Sequence, residues 1–215
     1  MELFMNEIFA VIDTETNWYD EVMSIGLIIA EDNTYKVQEE YYGLITPECE
    51  RGGMYSMVLR DGRADINNEA SRGQILKEID ALLKKYGVKH LFAYNAKFDE
   101  KHLPELSNFS WVDIMQTTMY RQYNPFIPDG AQLCNTGKLK SGYGVEAVLN
   151  MITGEVRQEV HNALCDTRDE LFIMSSFDMP IVQFIENASR TSSQKSKDYG
   201  KYVRMRRMRR MGIMR

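Results

Sequence analysis

The hydrophobic pattern begins with a continuous apolar run over residues 8–12, which is rich in β-branched side chains. Such a run is typical of a central strand that is covered on both faces. Two further apolar stretches, 22–30 and 35–46, lie on either side of the polar turn 31–34 and predict two antiparallel strands. Together the three segments predict a meander.

From residue 73 the pattern changes to the period of a helix that ends at Gly87. The apolar stripe of this helix consists of Ile75, Ile79, Leu82, Leu83 and Tyr86. Short strands are predicted at 90–94 and 111–114, with a helix over 96–103 between them that ends before Pro104.

Two more helices are predicted in the second half of the chain, one over 145–152 that ends at Gly154 and a last one over 162–177. Residues 47–73 lack a sustained period and predict an irregular segment with a short helix near 54–59. The element order implies an α/β fold with a mixed five-stranded sheet, three antiparallel strands followed by two parallel ones, flanked by helices.

Charge divides the chain into two unequal parts. Residues 1–187 contain 16 basic and 30 acidic residues, a formal charge of −14, whereas residues 188–215 contain 10 basic residues and one acidic residue, a charge of +9. This shift predicts a boundary between a body, 1–187, and a basic C-terminal tail, 188–215. Methionines recur every third residue near the end of the tail, a spacing that forms no lasting helical stripe, so we expect an extended arm or a short induced helix.

Composition excludes several classes of protein. Of 215 residues, 44% are hydrophobic and 27% are charged, which are the values of an ordinary globular protein. No apolar run approaches the roughly 20 residues of a membrane-spanning helix, and the acidic residues near the N-terminus do not resemble a secretion signal. The three cysteines form no Cys-x-x-Cys pair, so neither a disulfide framework nor a zinc knuckle is expected. These features predict a cytoplasmic protein that does not enter a membrane.

Two acidic residues lie at the C-terminal end of the first predicted strand. The two-residue period of a strand places the side chains of Asp13 and Glu15 on the same face. Two carboxylates at this spacing repel each other unless a cation neutralises them, and oxygen ligands favour Mg²⁺ or Mn²⁺. A solvated loop is the ordinary alternative for such a pair.

Two further candidates lie at the starts of helices. Asp99 lies on the first turn of the helix over 96–103, where it would also complement the helix dipole. His161 and Asp166 lie at the start of the last predicted helix and can both face a site beyond its N-terminus. The other two histidines, His90 and His102, are expected to be structural.

The order of these residues resembles the three motifs of the DEDDh 3′–5′ exonucleases, the DnaQ-like branch of the ribonuclease-H-like superfamily. The matching segments are Val11-Ile12-Asp13-Thr14-Glu15-Thr16, Asn95-Ala96-Lys97-Phe98-Asp99 and His161-Asn162-Ala163-Leu164-Cys165-Asp166, and the resemblance spans residues 8–177. It implies a ribonuclease-H-like fold and removal of nucleoside 5′-monophosphates from the 3′ end of single-stranded DNA or RNA. The chain departs from the usual family pattern at 17–19, where glycine is common, and at Tyr94, where histidine is common.

The resemblance also implies roles for five residues. Asp13, Glu15 and Asp166 would bind one of two Mg²⁺ or Mn²⁺ ions, Asp13 would bridge to the second ion, and Asp99 would complete the shell of that ion. His161 would be the general base for the attacking water, a role that suits a group whose unperturbed pKa is about 6.5.

Aromatic stacking and backbone contacts commonly hold the terminal nucleotide of a single strand. The candidate substrate-binding residues are Thr16, Trp18, Asn95 and Phe98. The 3′ end of a single-stranded nucleic acid is the expected partner, and a homodimer or a polymerase or repair protein as partner is left open. The tail is expected to bind the phosphate backbone, with the protein's own acidic surface or a partner as its alternatives.

Two other functions remain open. The pattern of an aspartate at the end of the first strand and an acid two residues later also resembles that of the haloacid-dehalogenase-like phosphatases. That hypothesis leaves His161 and Asp166 unexplained. A catalytically silent ribonuclease-H-like module that binds nucleic acid is the non-enzymatic alternative, although unused clustered carboxylates would lower stability.

Overall fold

The computed structural model describes residues 7–211, and its central feature is one mixed sheet. The strands are Ile8–Thr16 (β1), Val22–Glu31 (β2), Val37–Ile45 (β3), Asn68–Ala70 (β4), His90–Ala93 (β5) and Ser110–Asp113 (β6). Their order across the sheet is β4-β3-β2-β1-β5-β6. β1, β2 and β3 form the predicted antiparallel meander, and β5 and β6 continue the sheet parallel to β1.

The sequence prediction of a mixed α/β sheet is confirmed, with one addition. The structure contains a sixth strand, β4, which pairs parallel to β3 at the edge of the sheet. It lies in the segment that was expected to be irregular, because three residues are too few to show a strand period. The rest of that segment contains two short 3₁₀ turns, Glu48–Arg51 and Ser56–Val58.

The helices cover Arg72–Tyr86 (α1), Lys97–His102 (α2), Met115–Thr118 (α3), Val145–Thr153 (α4), Ala163–Ser176 (α5), Ile181–Ser189 (α6) and Ser192–Arg210 (α7). α1 ends as expected at Gly87, which adopts the left-handed conformation with φ 66° and donates its N–H to carbonyl groups of the last turn. The helix over 162–177 is present as α5 but is not the last, since α6 and α7 follow it. No helix within residues 7–211 is both long enough and apolar enough to cross a bilayer.

The sheet has a hydrophobic core on each face. In β1, Phe9 and Val11 belong to the core beneath α4, α5 and α6, whereas Ala10 and Ile12 belong to the core beneath α1. The same alternation continues to the end of the strand. It therefore directs the side chains of both acidic residues, Asp13 and Glu15, to the side of the sheet that α5 covers.

The start of α5 lies directly on β2. A Cβ atom at Gly26 would lie 2.2 Å from the carbonyl oxygen of Ala163, so only glycine permits this approach. Gly26 is also the partner of Asp13 in the β1–β2 ladder. The close contact therefore places the first turn of α5, which carries Asp166, over the strand pair that carries Asp13.

The C-terminal region is a packed helix over most of its length, so the expectation of an extended arm or short induced helix is wrong. α7 has 19 residues and begins with a capping box in which the side chains of Thr191 and Gln194 bond to each other's backbone N–H groups. Lys195, on the first turn, is buried and donates to Oε1 of Gln116 at 2.7 Å.

The proposed boundary between residues 187 and 188 falls inside α6. Residues 212–215 of the tail lie outside the described residues.

The inner face of α7 packs on the loop between α3 and α4. The ring of Tyr199 lies against Gly137, where a Cβ atom would approach it to 2.5 Å. Further along, Nε of Arg121 donates to the hydroxyl of Tyr202 at 3.0 Å. Part of the basic tail thus binds the protein's own surface, which was one of the alternatives left open by the sequence.

Candidate active site

The three sequence motifs meet at the C-terminal end of β1. Glu15, at the end of that strand, lies beside His161 and Asp166, at the start of α5, and one ligand atom from each of the three residues lies within 4.8 Å of the others. Asp13 lies close enough to Asp99 and Asp166 for their charges to raise its pKa. The structure therefore brings together all five residues to which the resemblance assigns catalytic roles.

Asp99 is fixed against β1 by a hydrogen bond. Its side chain is 2% exposed, and its Oδ1 accepts from Oγ1 of Thr14 at 2.8 Å. Thr14 stands between the two acids of β1 in sequence and faces the opposite side of the strand. β1 thus contributes to the site from both faces.

The turn before α2 sets the position of Asp99. Asn95 adopts the left-handed conformation with φ 62°, which asparagine tolerates better than most residues. Its N–H donates to Oδ1 of Asp113 at 3.0 Å, and the same oxygen accepts the N–H of Met115 at 3.1 Å. Asp113 at the end of β6 thus connects this turn to the sheet.

The start of α5 is fixed through Asn162. Its Oδ1 caps the helix by accepting the N–H of Cys165 at 3.3 Å, and its Nδ2 donates to the hydroxyl of Tyr42 at 3.0 Å and to the carbonyl of Val58 at 3.1 Å. The preceding residue, His161, has a left-handed φ of 59°. These contacts hold the backbone that presents the histidine to the acids.

Burial and mutual repulsion raise the pKa values of the clustered acids. For Asp13 burial is the largest cause, and the charges of four neighbours add to it: Asp99, Glu170, Glu15 and Asp166. Burial, followed by the charge of Asp166, raises the pKa of Glu15 to about 8. Burial also raises the pKa values of Asp99 and Asp166 to about 7. The metal-free site therefore favours protonated carboxyl groups near neutral pH.

The environment of His161 favours the neutral imidazole. Partial burial lowers its pKa, and the charge of Glu146 opposes this effect without cancelling it. A neutral imidazole nitrogen can accept a proton, which a general base requires.

The donor set fits a hard divalent cation. Oδ1 of Asp166 and Oε2 of Glu170 are buried and have no hydrogen-bond partner among the described residues. Within residues 7–211, no lysine or arginine forms an ion pair with the acids of the cluster. Buried carboxylate oxygens without partners are costly, and Mg²⁺ or Mn²⁺ bound by such oxygens would remove that cost.

Sequence reasoning missed two residues at this site. Glu170 is 2% exposed, its Oε1 accepts the N–H of Tyr94 at 3.1 Å, and its charge contributes to the raised pKa of Asp13. It lies four residues after Asp166, a spacing that puts both on one helix face and could have identified it. Tyr55, which packs on His161, lies in a segment without a periodic signal.

Two of the candidate substrate-binding residues, Trp18 and Asn95, lie in connections that follow strands, whereas Thr16 ends β1 and Phe98 lies in the first turn of α2. Trp18 follows β1 and is 65% exposed, and Thr16 closes β1 just after a shift in the strand register. Phe98 is 38% exposed and packs its ring 4.3 Å from that of His102. His102 is structural as expected, because its Nε2 bonds to Asp20 at 2.8 Å.

The fold of this chain is similar to the folds of several solved structures. No protein-family model and no curated protein matches the sequence. Among solved structures, the nuclease domain of 3′hExo, a DEDDh family member bound to rAMP, superposes with a TM-score of 0.56 at 15% identity, covering 80% of this chain and 92% of that one. The fold is that of the DEDDh exonucleases. A 3′-exonuclease that recognises the histone mRNA stem-loop gives a TM-score of 0.52 at 16% identity over 79% of this chain and 63% of that one.

A further solved structure with a similar fold is that of E. coli exonuclease I in complex with a 5cy-dT13 oligonucleotide. Its TM-score is 0.51 at 14% identity, over 80% of this chain but only 40% of the exonuclease I chain. Identities this low establish a likeness of fold.

Proposed function

We propose that the protein is a metal-dependent 3′–5′ exonuclease that hydrolyses phosphodiester bonds at the 3′ end of single-stranded DNA or RNA and releases nucleoside 5′-monophosphates. The observation that carries this proposal is the convergence of Glu15, His161 and Asp166 within 4.8 Å, beside Asp13 and a buried Asp99, in a DEDDh-type fold. Five groups from three separate motifs are needed for this reaction, and the fold brings them to one place.

The acids Asp13, Glu15, Asp99 and Asp166 would hold two Mg²⁺ or Mn²⁺ ions. When bound, these ions lower the pKa of water and neutralise the charge that develops on the phosphate and the leaving oxygen. The carboxylates also relieve their own repulsion by binding cations. Thr14 keeps Asp99 in place through its hydrogen bond, so this ligand is oriented before any cation arrives.

His161 is proposed as the general base that takes a proton from the attacking water at a ring nitrogen. Burial lowers its pKa, so the imidazole is neutral and ready to accept the proton at pH 7. The hydrogen bonds of the neighbouring Asn162 hold the backbone of His161 beside Asp166.

The substrate would be held by exposed groups around the acids. The exposed side chains of Trp18 and Phe98 are the candidates for stacking on a base, and the main chain at Thr16 and the side chain of Asn95 are further candidate contacts. The three cysteines lie unpaired in the structure, which supports the proposal that the protein acts in the cytoplasm.

The test is digestion of single-stranded DNA and RNA that carry a label at the 5′ end, in Mg²⁺, in Mn²⁺ and in excess chelator. We expect a ladder that shortens from the 3′ end, mononucleotide products, and no digestion in chelator. Labelled fragments that arise only from internal cuts, or digestion that persists in chelator, would contradict the proposal. Binding without hydrolysis in every metal would instead indicate the catalytically silent module.

A further inference from the structure

The imidazole of His161 has an anchored backbone and a ring that lacks a hydrogen-bonded support. The three hydrogen bonds of Asn162 fix the chain directly after it. Among the described residues, however, the ring nitrogens of His161 have no hydrogen-bond partner. A general base is usually oriented by a third group, such as a carboxylate or a carbonyl, that bonds to its second nitrogen. A contact other than a hydrogen bond therefore has to orient the imidazole ring.

The ring of Tyr55 occupies the face of this imidazole. The two ring centroids are 3.7 Å apart and the planes differ by 18°, which is a stacked arrangement. Stacking at this distance blocks rotation of the imidazole out of its plane on that side. It therefore restricts the ring to the plane that keeps a nitrogen within 4.8 Å of the carboxylates of Glu15 and Asp166.

The segment that carries Tyr55 is connected to the same residues that fix the histidine backbone. The carbonyl of Tyr55 accepts the N–H of Val58 at 3.1 Å, and the carbonyl of Val58 accepts from Asn162 at 3.1 Å. Tyr42 bonds to Asn162 at 3.0 Å and to the carbonyl of Leu59 at 3.1 Å. One connected set of hydrogen bonds thus links the backbone of Tyr55 to Asn162, the residue that follows His161.

We propose that Tyr55 is the positioning residue of His161 and orients the general base by ring stacking. This inference rests on the proposed function. The flat ring replaces the hydrogen-bonded third group, so the tyrosine hydroxyl is not needed and phenylalanine should serve equally well. Stacking on a substrate base is the competing role for an aromatic residue here, and it makes different kinetic predictions.

The experiment compares Tyr55→Phe, Tyr55→Ala and the control Met57→Ala by steady-state digestion of single-stranded DNA. Met57 lies in the same segment and is 91% exposed. We expect Tyr55→Ala to lower kcat about three- to tenfold, the value of an aromatic pair, with KM within twofold. Tyr55→Phe and Met57→Ala should match the wild type. A rise in KM with kcat unchanged would show a substrate-stacking role and overturn the proposal, as would wild-type kcat in Tyr55→Ala.

A double-mutant comparison separates this inference from the proposed function. If Tyr55 acts through His161, Tyr55→Ala should cause no further loss in a His161→Ala background, whereas an independent structural effect would persist there. A normal rate for His161→Ala would refute the proposed base. An impaired His161→Ala beside a normal Tyr55→Ala would refute the positioning role alone.

A second measurement does not depend on activity. In the metal-free protein, proton NMR should show contacts between the Tyr55 and His161 rings and an upfield ring-current shift of the imidazole protons. Tyr55→Ala should remove this shift and Tyr55→Phe should keep it. Imidazole resonances that are the same in the wild type and in Tyr55→Ala would overturn the stacking itself.

Discussion

Two regions of the molecule remove charged side chains from water in opposite ways. Around α7 several charged side chains are paired with opposite charges: Nη1 of Arg190 lies 2.6 Å from Oδ2 of Asp198, and the buried Arg121 pairs with Asp129. At the end of β1 carboxylates gather with carboxylates, and pKa values rise to about 7 or 8. Burial of like charges is unfavourable in the metal-free protein, so this contrast is the one expected if the first region serves folding and the second is the proposed cation site.

The strongest test of this contrast exchanges one aspartate in each region for asparagine. Asp13→Asn should reduce turnover by at least about 10³-fold, because it removes a proposed metal ligand, and should leave the melting temperature equal or higher, because it relieves repulsion. Asp198→Asn should leave turnover unchanged and lower stability by about 1 kcal/mol, because Arg190 loses the closer of its two carboxylate partners and keeps only Glu186 at 3.5 Å. Single-turnover digestion and thermal unfolding measure both effects. A loss of stability in Asp13→Asn together with a loss of turnover in Asp198→Asn would show that the acid cluster serves folding and that the region around α7 serves activity.

The next largest effect distinguishes metal binding from general-base catalysis among the clustered acids and His161. His161→Ala should slow the chemical step by roughly 10²–10⁴-fold, the usual contribution of a positioned general base. It should leave Mn²⁺ affinity within a few-fold of the wild type, which isothermal titration calorimetry measures, whereas Asp166→Asn should weaken Mn²⁺ binding as well. Loss of Mn²⁺ binding in His161→Ala would make the histidine a metal ligand and not the base.

The pH dependence of stability follows from the direction of the pKa shifts. Carboxyl groups with raised pKa values in the folded state stabilise it while protonated, so this contribution is lost as pH rises from about 4 towards 8. In chelator, the melting temperature should fall by roughly 5 °C between pH 5.5 and pH 8.5. Mn²⁺ should restore it at pH 8.5, and Glu15→Gln should flatten the profile. A flat profile in the wild type would contradict the raised pKa values.

The same contrast explains how much could be predicted from the sequence. The acid cluster could be predicted from the sequence because strand alternation fixes the side of the sheet on which Asp13 and Glu15 lie. The predicted helix starts locate Asp99 and Asp166. The ends of α1 and α4 were equally visible, because glycine marks them. Local rules determine these positions, and the fold only has to bring the motifs together.

The interface of α7 was not predicted because its inner face is polar and aromatic. Most of the buried or half-buried positions within residues 192–209 follow a helical spacing, and the full set is Lys195, Asp198, Tyr199, Gly200, Tyr202, Arg206 and Met208. Such a face has no apolar stripe, and the methionine spacing by itself predicts an arm. Specific partners in another part of the chain stabilise this helix, and no local pattern shows them. The capping box at Thr191 was the signal that could have revealed where it begins.

The smallest expected effect is that of replacing exposed arginines on the outer face of α7. Cutting the chain after Asn187 is a poor test of a nucleic-acid role, because it also removes the packed contacts of Lys195 and Tyr199. Arg204 and Arg207 are exposed, so their replacement leaves those contacts in place. The body of the chain is strongly acidic and repels a polyanion, and these side chains add positive charge that the packing of α7 on the body does not use.

We therefore expect the double variant Arg204→Gln/Arg207→Gln to bind single-stranded oligonucleotides a few-fold more weakly while kcat is unchanged. If each arginine neutralises one phosphate, the slope of log K against log salt should decrease in magnitude by about 1.4, since each contact on a single strand contributes about 0.7. Arg206→Gln is the matched control, because Arg206 pairs with Asp129, so its loss should lower stability with little change in slope. Fluorescence anisotropy titrations at several salt concentrations measure the slope. Equal affinities and slopes for the double variant and the wild type would exclude these two arginines as contacts to nucleic acid.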